Sequence, residues 1–221
     1  LATAHSKSEH GATLLHYVSS NAIEDLLQLH PASVYNRLRS AYGEQREAML
    51  AAVEETIRLL IKTGADPDGL ASAYGGGSGA TPINWLVSSG HPHVAGVTGR
   101  LTKVFCECGA RPDGLADDSS PVMTAVAFGI TEAVAPLLQA GCRVDNVILA
   151  SVVGDTKMVQ SLLGTEGEFD AATLSRCQQP WLPVPTDWQL ACEWALILGA
   201  MCGQTECVQL LLDAGVDIDA K

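Results

Sequence analysis

Cysteine, histidine and paired carboxylates are the side chains from which this chain of 221 residues could build a reaction centre. Cys106 stands beside Glu107 and could act as a nucleophile with a neighbouring base. It lies in an apolar helical phrase, however, where a thiol facing the packing seam is a small core residue. His91-Pro92-His93 offers two imidazoles, but a metal site needs a third ligand. Cys106 and Cys108 are one residue apart, and no C-x-x-C pair opens a zinc site. The carboxylate pairs Asp66/Asp68 and Asp117/Asp118 fall in turns, where solvated Asp bonds the local backbone. The run Gly75-Gly76-Gly77-Ser78-Gly79 lacks the Lys-Ser/Thr of a phosphate loop and reads as a flexible turn tip. No cofactor and no metal is implied, and the balance leans away from an enzyme.

The elements behind these residues repeat. An apolar helix ending in paired aliphatics, then Gly, a small residue and an acidic turn occurs four times. The copies are Leu59 to Asp68, Val104 to Asp113, Leu137 to Asp145 and Leu210 to Asp219. The aliphatics bury one helical stripe. The Gly takes the left-handed position that closes a helix. A second phrase precedes the first: a short helix opened by Thr or Ser with Pro, ending near Gly. It reads Thr81-Pro82 to Gly90 and Ser120-Pro121 to Gly129, with Thr13-Leu14 to Ser20 near the start. Thr or Ser can cap such a helix, and Pro suits its first turn.

With both phrases in place the chain resembles the ankyrin repeat family, whose pattern is T-P-L-H, a second helix ending L-L, then G-A-D. The match touches roughly two-thirds of the residues. His16 alone fills the family's His slot, where it ties neighbouring turns; Asn84 and Met123 replace it later. The resemblance implies an all-α ankyrin-repeat helical solenoid: about five helix pairs with short extended turns, in one domain spanning 1–221. Two insertions, about 21–51 and 164–186, interrupt it. In the first unit the closing helix is expected from about Ala52 to Lys62. The second insertion holds Gln179-Pro180-Trp181-Leu182-Pro183-Val184-Pro185, whose prolines forbid a helix.

Family members bind through the inner face of the first helices and the turn tips. The inner-face slots carried over are Tyr17, Trp85, Thr124 and Leu149, with Ser20, Ser88 and Phe128 nearby. Tyr74 and Asp117 sit at turn tips, and Trp181 and Trp188 belong to or border the second insertion. Tyr17, Trp85 and Phe128 suggest an apolar concave strip, which the insertions either leave open or fold back upon. The leading expectation is a protein-interaction module. The second, from a different class, is an enzyme or small-molecule binder with an apolar pocket between that face and the two insertions. A third is a structural spacer, since the chain ends where another unit would begin and reads as cut.

Composition bounds the partners. A net charge of −12 with thirteen Lys and Arg argues against nucleic acid. No apolar run approaches the ~18 residues of a membrane helix. Seven cysteines read as reduced core residues in a cytoplasmic setting. The chain opens at Leu1 rather than Met, which leaves room for a removed leader.

Overall fold

A computed structural model describes residues 7–8, 11–20, 34–72, 79–164 and 171–219. Among these residues the secondary structure is helical, without a β-strand, as the all-α expectation requires. The first helices of the pairs are α1 (Leu14–Ser20), α4 (Pro82–Ser88), α7 (Ser120–Ala127), α9 (Val147–Val153) and α12 (Trp188–Met201). The second helices are α3 (Gly43–Lys62), α6 (Thr98–Glu107), α8 (Val134–Gln139), α10 (Thr156–Leu163) and α13 (Thr205–Asp213). Among the described residues there are three further α-helices, α2 (Val34–Ser40), α5 (Gly90–Val94) and α11 (Ala171–Arg176), and a 3-10 turn at Thr131–Ala133 that leads into α8.

First helices pack on first helices, α1 on α4, α4 on α7 and α9 on α12. Second helices do likewise, α3 on α6, α6 on α8 and α10 on α13. Between the two rows runs an apolar seam that includes Ile57, Phe105, Leu137, Val159 and Leu211. Phe105, Leu137 and Leu211 are fully buried, whereas the equivalent Leu60 at the first pair is half-buried and Leu59 is 54% exposed.

Each of the four glycine turns closes in the same way. Gly64, Gly109, Gly141 and Gly215 have φ of 105°, 98°, 97° and 89°, a region that costs any residue with a Cβ. The next residue's N–H reaches back to the carbonyl five positions earlier: Ala65 to Leu60, Ala110 to Phe105, Cys142 to Leu137, Val216 to Leu211. These are Schellman closures, which satisfy carbonyls that a helix end leaves open.

Successive turns are then stitched by aspartate. Asp68 accepts the backbone N–H of Arg111 at 3.0 Å, and Asp113 accepts that of Arg143 at 3.0 Å. The guanidinium of Arg143 also reaches Asp113 at 3.2 Å. Burial alone would raise the Asp113 carboxyl, but the Arg143 amide and guanidinium outweigh it and hold the group below its ordinary range. Asp68 lacks a guanidinium partner of this kind; burial dominates there and its carboxyl is raised.

Two openings depart from the sequence pattern. The closing helix of the first pair begins at Gly43, nine residues before the expected Ala52. Glu47 and Glu54 on this added length and beyond take the Arg100 guanidinium of α6 at 2.6 and 2.5 Å. In the third pair Ser120 does not cap its helix with its hydroxyl. Ser119 holds the cap position at φ 55°, and Asp118 Oδ1 accepts the Ser120 N–H at 2.9 Å. Thr81 does cap α4, accepting the N–H of Asn84 at 3.4 Å.

His16 performs the tying role that the resemblance implies. Its Nδ1 accepts the Thr13 N–H at 3.2 Å, and its Nε2 donates to the Ala80 carbonyl at 3.1 Å. That pattern needs the neutral ring, and burial lowers the pKa from its ordinary value of 6.5. A His depressed in the fold stabilises it fully above the unfolded pKa; this contribution is lost as pH falls through the folded value. Urea titrations at pH 7.5 and 5.5 are expected to show a larger loss for the native chain than for His16→Gln; equal losses would contradict this assignment.

Candidate functional site

The inner face of α4 and α7 does not lie bare. The second insertion leaves α10, forms α11 and returns across the turn after α6, carried by one arginine. Arg176, at the end of α11, donates to the Asp117 carbonyl and Ser119 Oγ at 2.7 Å and to Asp145 at 2.6 Å. It therefore supplies Asp145 with the cationic contact that Arg143 gives Asp113 one turn earlier. Cys177 follows, buried, and accepts from the amide of Asn146 at 3.5 Å. Gln178 then donates to the Val184 carbonyl, and Gln179 bridges Leu182 across a tight loop with Pro180 and Trp181 at its tip.

That tip comes down on Phe128. The two rings meet edge to face, with centroids 5.7 Å apart and planes at 62°. Behind them a groove of about 620 Å³ runs between α4, α7, the turns before each helix and residues 178–181. Trp85, buried and edge-on to His16 at 5.1 Å, forms part of its wall with Thr124 and Ser88. Leu70, Leu115, Phe128 and Trp181 ring it, each 40–54% exposed. They are four of the ten exposed large apolar side chains among the described residues, so exposed apolar surface is concentrated here.

Of the residues expected from sequence, Trp85, Ser88, Thr124, Phe128 and Trp181 meet in this groove. Tyr17 does not line it, but packs with Ala12, Ala71 and Trp85 beside it. Ser20 is buried; its hydroxyl bonds the His16 carbonyl at 3.1 Å and its own carbonyl accepts from Ser89 at 2.9 Å. Asp117 is exposed at the turn and paired with Arg111 at 2.6 Å. Trp188 is half-buried against the main seam. Leu149 is corrected from an inner-face contact to a core residue: it is 1% exposed on α9, the helix against which α12 packs. Tyr74, Gly75, Gly76, Gly77 and Ser78 lie outside the described residues.

Several further residues line the groove that sequence reasoning did not assign to a contact surface: Leu70, Leu115, Asn84, Asp118, Gln178 and Gln179. A signal for two of them was present. Pro-Asp-Gly-Leu-Ala occurs twice, at 67–71 and 112–116, and places a large apolar residue in an otherwise polar turn. Asn84 occupies the His slot of its unit and donates to Ser120 Oγ at 3.4 Å.

The first insertion lies elsewhere in its described part. On α2, Tyr35 is buried and donates to the Val18 carbonyl at 2.5 Å, while Arg46 of α3 donates to the carbonyls of Leu38 and Ala95. The cysteines are free, and burial with nearby Asp68 and Glu107 pushes the Cys106 thiol up to about 11, far from a ready thiolate. Among the described residues no group of three His, Cys, Asp or Glu could hold a metal ion, and no helix is long and apolar enough to cross a membrane.

Comparison with known proteins gives one finding. The ankyrin repeat family model matches residues 193–221, which span most of α12, all of α13 and the last glycine turn. No curated protein and no solved structure matches the chain. The matched segment is one ankyrin repeat, and the helix pairs and Schellman-closed glycine turns before it follow the same pattern.

Proposed function

We propose that this chain is a protein-interaction module whose contact surface is the groove between α4, α7 and the loop 178–181. Ankyrin repeats in general serve protein interaction. The observation that carries the finer reading is the gathering of Leu70, Leu115, Phe128 and Trp181 around one concave surface. Such rings form a rigid anchor site at low entropic cost, and Ser88, Thr124, Gln178 and Gln179 supply donors and acceptors for an extended backbone.

Selection from a displayed peptide library tests this directly, with counter-selection on a Phe128→Ala/Trp181→Ala chain. Both rings are half-exposed, so their removal leaves the fold intact. Peptides that bind the native chain and lose about ten-fold or more on the double variant are the expected result. Peptides that bind both chains equally place the contact on another face.

The volume of about 620 Å³ also favours a second reading, a small apolar ligand, since pockets for such ligands run from roughly 300 to 1,000 Å³. Naphthalene or indole raising the melting temperature of the native chain, but not of the double variant, would support it over the first.

A further inference from the structure

The groove carries a charge as well as a shape. Its lining includes one charged residue, Asp118. Three nearby carboxylates are each paired with a guanidinium: Asp113 with Arg143, Asp117 with Arg111 and Asp145 with Arg176. Asp118 accepts only the N–H of Ser120, at 2.9 Å, and no cation reaches it among the described residues. The chain's net charge of −12 adds a background of the same sign. Beside Asp118 stand Leu115 and the Phe128–Trp181 pair, whose ring faces attract a cation as well as an apolar side chain.

We propose that the groove selects a segment of a partner protein in which a bulky apolar side chain is followed or preceded closely by lysine or arginine. The apolar side chain enters among Trp85, Phe128 and Trp181, and the cation pairs with Asp118. The inference rests on the reading of the groove as the contact surface and adds the chemistry of what occupies it. Placing an acidic residue in the same position would set two carboxylates together at the groove, a repulsive element that sharpens selection.

Labelled octapeptides with a central Leu or Trp, identical except for Arg, Ala or Glu two residues away, are titrated by fluorescence anisotropy at low ionic strength. The Arg peptides are expected to bind about ten-fold more tightly than the Glu peptides, with Ala between them. Added salt narrows the difference. Asp118→Asn keeps an oxygen for the Ser120 N–H and is expected to reduce the Arg-to-Glu ratio below about two-fold, with the preference for Leu or Trp over Gly retained. Trp181→Ala weakens the whole series. Equal binding of Arg and Glu peptides that is still lost in Trp181→Ala overturns the charge assignment and leaves the groove as the contact surface. Arg peptides that bind Trp181→Ala and Asp118→Asn as well as the native chain show general attraction to an acidic protein and overturn the proposal. Absence of binding by every peptide in the series overturns the proposal and the contact surface together.

Discussion

Phe105→Ala is expected to destabilise the chain by about 3–5 kcal/mol, the cost of emptying a fully buried aromatic site. Phe105 is 0% exposed in the last turn of α6, a helix that packs on α3, α4 and α8, and its carbonyl also takes the Schellman bond from Ala110. Set against a total stability of roughly 5–15 kcal/mol, such a loss removes a large share of the whole. Leu59→Ala provides the contrast, since Leu59 is 54% exposed on α3, and should change stability by no more than about 0.5 kcal/mol. Urea titrations followed by circular dichroism read both. Similar effects from the two variants would mean that the seam is not where the glycine-turn phrases place it.

Arg176→Ala is the second large effect. The guanidinium holds two contacts to the turn at 117–119 and one to Asp145, and its side chain is 16% exposed. Removing it takes the guanidinium from the Asp117 carbonyl and leaves the Asp145 carboxylate with the Asn146 amide alone, at a cost of about 1.5–3 kcal/mol for hydrogen bonds to a charged group. The loss falls on the second insertion, because α11 and the 178–181 loop are carried by this residue. Amide exchange over 171–186 is expected to accelerate about ten- to a hundred-fold while α4 and α7 keep their protection. Peptides that need Trp181 should weaken in step. Arg176→Lys keeps the charge but not the planar fork, and is expected to recover only part of the protection. Unchanged exchange in Arg176→Ala would show that the loop is held by other contacts.

The parts of the fold legible in the sequence are those fixed by local chemistry. A glycine at φ near +100° four residues after Phe105, Leu137 or Leu211 is demanded by the closure of its own helix, so the four turns could be placed from a short phrase. His16 was equally legible, because its slot is defined by the turn immediately before it. The groove was legible by half. Trp85, Thr124 and Phe128 follow from helix register, but the opposite wall depends on Arg176 reaching residues 31 to 59 positions away. No periodicity reports such a contact. Leu149 was misplaced for a related reason: register puts it on an inner face, while the following pair covers that face with the long helix α12. The exposed Leu70 and Leu115 were written in the repeated Pro-Asp-Gly-Leu-Ala, whose value lay in the one apolar residue that a polar turn does not need.

The central claim is that a partner segment seats in the groove between α4, α7 and the loop of the second insertion. The four tryptophans divide cleanly for a test: Trp85 and Trp181 line the groove, and Trp188 and Trp194 pack against the seam on α12. With 5-fluorotryptophan incorporated and each fluorine resonance assigned by single Trp→Phe variants, an Arg-bearing octapeptide is titrated into the chain. Shifts of the Trp181 and Trp85 signals, with Trp188 and Trp194 unmoved, are the expected outcome. Saturable binding that moves Trp188 or Trp194 and leaves Trp85 and Trp181 in place would contradict the account.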